Sequence, residues 1–468
     1  MRIRRTTNRI VQIDLLEDRS LMTVAPTSFA PLCEPTTLNS AVIRLSDSNQ
    51  APLALKAIYD SGAYLDGAYD STTWGIVFRP EVARDGVLKS WASSTWLGSS
   101  QTDSLIHSSA LPVNDPMASQ QWAIAGVEPA SVNASTAWGR TVGQGVVVAV
   151  IDSGIDLKHP DLQSQLWVNP GEVAGNKRDD DRDGFIDDIF GVNFLNNSGN
   201  VQDDSGHGSH VSGIIAAAAN NSTGGVGLAP GSKIMALKVL DQYGNGSLNA
   251  AVNAIYYAVN HGAKVINASW TMSMGSPSLQ TAMAYAANKN VVFVTAAGNE
   301  SVNNDLVPSY PGSYRYSNVL TVGAVDSAGR LASFSNYGPS SVDVAAPGVG
   351  IMSTTAGSYE SWNGTSMATP YVAATAALIA SMRPDYSAAQ IVNQIKATAH
   401  RSTELAGKIA SAAYLDAGAA TNLAAYVAPK VVTPASPTTT VKSTTPIARP
   451  VWPFRKTTPV KRSPVRKK

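Results

Sequence analysis

Ser366 stands in Gly364-Thr365-Ser366-Met367-Ala368-Thr369-Pro370, just ahead of an apolar run from Tyr371 to Met382. Small residues before a helical run predict a tight turn into a helix, with Ser366 in or near the first turn. There the unpaired N–H groups and the positive end of the helix dipole favour negative charge beside the serine oxygen. On this stretch alone a simple N-cap is an equal reading, because Ser and Thr are common caps. Two further stretches bear on the choice. Val146 to Ile151 is a continuous apolar run, rich in β-branched residues, that ends in Asp152-Ser153-Gly154. It reads as a buried strand of a parallel sheet, where chemistry gathers at the carboxyl ends of strands. Asp204-Ser205-Gly206-His207-Gly208-Ser209-His210 then leads into apolar Val211 to Ala219, a turn into a helix with a histidine at its start. Acid, imidazole and hydroxyl are the parts of a Ser/His/Asp triad. A serine hydroxyl needs a base to take its proton, and His207 is the side chain whose ordinary pKa suits that work. Asp152 would hold the imidazole tautomer and stabilise the imidazolium. His207 and His210 also have the spacing of a helical metal pair, but no third ligand stands at fitting spacing. His210 reads as a packing or hydrogen-bonding residue. His107, His159, His261 and His400 carry no signal.

The chain order Asp152, His207, Ser366, with these flanking residues, resembles the subtilisin-like serine proteases over roughly residues 120 to 420. A fourth match is Thr295-Ala296-Ala297-Gly298-Asn299, a strand that ends in an asparagine. The resemblance implies that Asn299 donates its side-chain N–H to a developing oxyanion. It also implies that a peptide backbone adds as a strand beside Asn267-Ala268-Ser269-Trp270 and Gly244-Asn245-Gly246, with its side chain over Ala296-Ala297-Gly298. The substrate-contacting residues so implied are Ser269, Trp270, Gly246, Ala297 and Gly298. Thr271 departs from the pattern, since a glycine usually follows there, and so does Ser209, where threonine is commoner. Substrates would be proteins or peptides.

The loop Asp179-Asp180-Asp181-Arg182-Asp183-Gly184-Phe185-Ile186-Asp187-Asp188 places carboxylates at positions 1, 3 and 5 and glycine at 6, like the start of an EF-hand loop. Position 12 is Phe190 rather than the bidentate glutamate, so the loop is not an EF-hand. A solvated acidic loop is one reading. Ca2+ held by Asp179, Asp181, Asp183 and Asp187 is the other, and similar insertions in subtilisin-like proteases bind calcium.

The positions of these residues require alternating strands and helices. Strands are expected at Val146–Ile151, Ile234–Leu240, Val265–Ser269, Val291–Ala296 and Val319–Val325. Helices are expected near His207–Ala219, Leu248–His261, Ser278–Asn288, Thr365–Met382 and Ala388–Ala399. The fold class is therefore α/β, a parallel, doubly wound sheet flanked by helices, subtilisin-like. Four segments are expected. Residues 1–24 form a basic export-type segment, whose Leu16-Glu17-Asp18-Arg19 resembles an element on large exported bacterial proteins. Residues 25–112 form a small α+β unit, which the resemblance makes a prodomain that would act as the chain's own inhibitor. Residues 113–427 form the peptidase domain, and 428–468 a disordered tail rich in Pro, Thr, Lys and Arg.

The formal net charge of +1 hides an asymmetry: ten Lys or Arg and no acid lie from Ala428 onward, leaving 25 basic against 34 acidic residues in the rest. The tail is then either a flexible extension or an anchor to a polyanionic component of the cell envelope. Cys33 is the only cysteine, which excludes an intrachain disulfide. No apolar run is long enough for a transmembrane helix. A secreted or envelope-associated bacterial protein, monomeric by default, is the expectation.

Overall fold

The computed structural model describes residues 2–5, 11–14, 40–68, 72–78, 82–102, 113–126 and 128–423. The basic tail expected at 428–468 and much of the expected export segment lie outside the described residues.

The N-terminal region is a six-stranded sheet. It comprises β1 (Arg2–Arg5), β2 (Val11–Asp14), β3 (Ser40–Leu45), β4 (Ala63–Ala68), β5 (Thr73–Phe78) and β6 (Leu97–Thr102), in the order β1-β2-β4-β5-β3-β6. Every pairing in it is antiparallel. Helices α1 (Ala51–Asp60) and α2 (Arg84–Trp91) complete it, and Ile43, Leu45, Ile58, Phe78, Trp91 and Trp96 form a core of their own. β1 and β2, which come from the expected export segment, join this sheet through Val11 opposite Ala68.

After the short helices α3 (Trp122–Ala125) and α4 (Ala134–Trp138), the chain builds a nine-stranded sheet. In chain order its elements are β7 (Val147–Asp152), β8 (Gly191–Asn193), α5 (His207–Ala216), β9 (Lys233–Lys238), α6 (Leu248–Asn260), β10 (Val265–Ala268), α7 (Pro277–Asn288), β11 (Val292–Ala296), β12 (Val319–Val325) and β13 (Val344–Pro347). A hairpin of β14 (Ile351–Thr354) and β15 (Tyr359–Trp362) follows. Helices α8 (Thr365–Met382) and α9 (Ala388–Thr398), and the short strands β16 (His400–Arg401) and β17 (Ala413–Tyr414), close the domain. The sheet order is β16-β17-β13-β12-β11-β10-β7-β9-β8, parallel except at β16–β17. β10 and β9 flank β7 on opposite sides, so the strand order reverses beside the strand that ends in Asp152. Such a switch point opens a crevice outside the strand ends.

Alternation along the strands explains the layers. Val148 and Val150 point into a core shared with α5 and α8, whereas Ala149 and Ile151 point into a second core shared with α6 and α7. Ile234 and Ala236 against Met235 and Leu237 repeat this on β9. A strand buried on both faces must be apolar at every position, which is why β7 reads as an unbroken run. The five expected strands and five expected helices are all present, with ends shifted by up to three residues. β8, β13 and the β14–β15 hairpin were not expected. Segments of three or four residues carry too little periodicity to recognise.

Candidate active site

Asp152 closes β7 and is fully buried, and His207 opens α5 with its side chain 26% exposed. His207 Nδ1 donates to Asp152 Oδ1 at 2.7 Å. A carboxylate only accepts, so the proton sits on Nδ1 and Nε2 keeps its lone pair. Ser153 N–H donates to the same Oδ1 at 2.7 Å, which fixes the carboxylate. Burial pushes the His207 pKa down, but the charge and hydrogen bond of Asp152, with the charge of Asp203, outweigh it and hold the pKa above its ordinary value.

Ser366 is the second residue of α8. Its environment follows from Pro370. Proline has no N–H, so the helix leaves the Ser366 carbonyl without its partner four residues on. Ser269, just past the end of β10, supplies that bond: its Oγ donates to Ser366 O at 2.9 Å, while Ser366 Oγ donates to Ser269 O at 3.1 Å. Asn267 Nδ2 donates to Ser269 Oγ at 3.0 Å and holds the hydroxyl in place. β10 is the neighbour of β7, so the nucleophile candidate is tied to the strand beside Asp152.

Asn299 Oδ1 accepts from both the N–H and the hydroxyl of Thr365, each at 2.9 Å. This fixes the amide and leaves Nδ2 as the free end. Gly364 has φ 156° and ψ 158°, a region that only glycine tolerates. A Cβ there would stand 3.6 Å from Ser366 N and 3.7 Å from Asn299 Nδ2. The Ser366 and Asn299 nitrogens therefore border the same small space beside Gly364.

Two residues that the sequence reading passed over support this centre. Buried Asp203 accepts from Ser153 Oγ, Ser205 N, Gly206 N, Ser209 N and Ser209 Oγ at 2.7–3.0 Å, so it ties the turn after Asp152 to the start of α5. Buried Lys238, opposite Asp152 on β9, donates to Ser153 O, Asp204 Oδ1 and Leu240 O. The adjacent acids Asp203 and Asp204, shortly before His207, were the signal available. His210 is buried, donates through Nε2 to Glu360 O at 3.1 Å and stacks on Trp362 at 4.6 Å. Burial pushes its pKa down to about 4, as fits a neutral packing residue.

Of the expected substrate-contacting residues, Trp270 turns its indole back to donate to Ile151 O at 3.0 Å. Gly246 bridges to Leu240. Ala297 is buried, and its carbonyl accepts from Asn304 and Asn336. Gly298 N–H donates to Thr365 Oγ1 at 3.2 Å. Thr271 is exposed.

The acidic loop has a different architecture. Glu172, Asp179 and Asp181 bring carboxylate oxygens together, and Asp181 and Asp183 do the same with His261. Asp187 stands apart from both groups: its oxygens accept from Gly175 N at 2.8 Å and Lys177 N at 2.9 Å. Burial, together with the charges of Asp188, Asp181 and Asp179, pushes Asp183 up to about 7. Glu172 precedes the loop and His261 follows α6, so no local spacing announced either.

Residues 143–426 match the subtilase family model. The chain belongs to the subtilase family of serine proteases. Among subtilases it is 42% identical over 270 residues to thermitase of Thermoactinomyces vulgaris, covering 57% of this chain and 85% of that one. It is 43% identical over 260 residues to subtilisin of Bacillus pumilus, covering 55% and 84%. It is 38% identical over 288 residues to subtilisin-like protease 1 of Plasmodium berghei, where the match spans 58% of this chain and about half, 48%, of that longer protein. Among solved structures, a protease from Pseudoalteromonas arctica PAMC 21717 aligns with TM-score 0.56 and 29% identity, over 67% of this chain and 99% of that one. No helix among the described residues is long and apolar enough to cross a membrane.

Proposed function

We propose that this subtilase is a serine endopeptidase that hydrolyses peptide bonds through an acyl-enzyme. The observation that carries the reading is the 2.7 Å pair of His207 Nδ1 and Asp152 Oδ1, which orients the imidazole as a base, with Ser366 in the first turn of α8 tied to the end of β10, the strand next to β7. In the proposed cycle Ser366 Oγ gives up its bond to Ser269 O, transfers its proton to His207 Nε2 and attacks the scissile carbonyl. Asp152 stabilises the imidazolium. The tetrahedral oxyanion is held by Ser366 N–H and Asn299 Nδ2, and His207 then protonates the leaving amine. Water, deprotonated by His207, cleaves the acyl-enzyme and frees Ser366. Substrate would lie along Ser269, Trp270 and Gly246, with its side chain over Ala297 and Gly298. The test is hydrolysis of fluorogenic peptides by wild type and Ser366→Ala. Turnover only by wild type is expected, and equal turnover would refute the assignment.

The acidic loop suits a hard divalent cation. Crowded carboxylates, one of them pushed up to about 7, are the residue set that such an ion relieves. Glu172, Asp179 and Asp181 would hold calcium, with Asp183 beside them, and the ion would supply charge neutralisation and stability rather than chemistry. We further propose that residues 25–112 are a prodomain removed by self-processing. The separate core of Ile43, Ile58, Phe78 and Trp91 supports that reading. Export to the medium or envelope is proposed on the basic, Leu-Glu-Asp-Arg-bearing N-terminus.

A further inference from the structure

Glu360 carries a carboxylate that the proposed catalytic cycle does not use, and two hydrogen bonds hold it near the imidazole. Its backbone carbonyl accepts from His210 Nε2 at 3.1 Å. Its Oε2 accepts from Trp362 Nε1 at 2.8 Å. The indole is fixed in turn: it stacks on His210 at 4.6 Å and 1°, and it faces His207 at 6.3 Å and 26°. Glu360 is exposed, and among the described residues it forms no ion pair. Its charge is therefore open to a ligand. The other charged pair near His207, Asp204 with Lys238 at 2.6 Å, is neutral as a unit.

The side from which Glu360 approaches decides what it meets. The β14–β15 hairpin is fastened to α5: Ser353 Oγ donates to His210 O at 2.8 Å, and Thr354 Oγ1 donates to Ser209 O at 2.7 Å. It reaches His207 from that helix, whereas the acyl side of a substrate would lie along Ser269, Trp270 and Gly246, after β10 and β9. In the proposed cycle His207 hands its proton to the departing amine, so the residue after the scissile bond leaves past the imidazole. There it meets the indole of Trp362 and the carboxylate at the indole edge. An aromatic ring with an adjoining negative charge suits a cationic side chain, which both attract.

We infer that Glu360, set in place by Trp362, gives this protease a preference for lysine or arginine immediately after the bond it cuts. The preference rests on the endopeptidase reading and names its substrate class.

The test uses the full-length protein in calcium and quenched fluorogenic peptides that differ only in the residue after the scissile bond: Arg, Ala or Glu. Mass spectrometry of the products fixes the bond cut. An exposed ion pair changes an equilibrium by about two- to fivefold, and a like-charge contact opposes by a similar factor. Wild type should therefore favour the Arg over the Glu peptide by about tenfold in kcat/KM. That ratio should shrink in 1 M salt, where charges are screened beyond about 3 Å. Glu360→Gln should bring the ratio close to one, and Glu360→Lys should invert it, an outcome that a merely structural role would not produce. A wild-type ratio near one, or a ratio that salt and both variants leave unchanged, would overturn the inference while hydrolysis itself kept the endopeptidase reading. Folded wild type that cuts none of the peptides would overturn that reading, and the preference with it.

Discussion

The proposed triad and the acidic loop are two solutions to holding charged groups in a fixed geometry. Asp152, His207 and Ser366 each sit at the end of a rigid element, and each is held by named donors: Ser153 N–H on Asp152, Asp203 around the start of α5, Ser269 on Ser366. Opposite charges meet there, and His207 is raised. In the loop, like charges meet: burial, with the charges of Asp188, Asp181 and Asp179, drives Asp183 up to about 7 on a segment that contains only turns and bends. The first arrangement is organised by the fold. The second asks for a partner. Variants in the triad should therefore change rate and leave stability nearly untouched, and changes at the loop should do the opposite.

The largest effect expected is on rate. His207→Ala should lower kcat by about 10⁶-fold, a magnitude known from a subtilisin, itself a member of this family. Asp152→Asn should cost about 10⁴-fold. It should also move the acid limb of the kcat/KM profile. Catalysis needs neutral His207, so the limb should lie above the ordinary histidine value in wild type and fall when the Asp152 charge is removed. An unmoved limb would break the claimed coupling. Asn299→Ala should lower kcat by about 10²–10³-fold with little change in KM. Ser269→Ala, which strips the replacement donor from the Ser366 carbonyl, should cost about tenfold, the scale of one buried hydrogen bond. All four should melt within a few degrees of wild type.

The loop should answer in stability. Calcium at a hundredfold excess over its Kd should add about 2.7 kcal/mol, roughly 5–10 °C in melting temperature. Asp181→Ala with Asp183→Ala should abolish that gain while leaving kcat within a factor of about two. Without metal, Asp183 binds its proton more tightly when folded than when unfolded. Its contribution is then greatest below the unfolded value near 3.8 and is lost as pH rises towards about 7. Melting temperature of the metal-free protein, relative to the calcium-loaded protein, should fall across that window. A constant difference would remove the like-charge account of the loop.

How legible each region was follows from where its residues lie. Asp152, His207 and Ser366 stand at the boundaries where a strand run or a helical run begins or ends, so sequence pattern alone set them apart. Asp179, Asp181 and Asp183 repeat at local spacing and were visible for that reason. His261 meets the loop only through the fold, at the end of α6, and such a contact leaves no trace in local pattern, whereas Glu172 lies seven residues before Asp179, outside the Asp repeat. Asp187 also fits the spacing, and in the structure its oxygens accept from Gly175 and Lys177 N–H. The Ser269–Ser366 exchange was hidden too. Pro370 announced a missing N–H, but not which side chain would replace it.

The most direct test of the central claim, that Ser366 is a nucleophile activated by His207 and Asp152, is labelling with a fluorophosphonate probe in calcium, read by gel. Wild type should be labelled at Ser366, on a band shortened by the N-terminal unit, and Ser366→Ala should stay full length and unlabelled. A folded wild type that takes no label, or label that persists in Ser366→Ala, would contradict it.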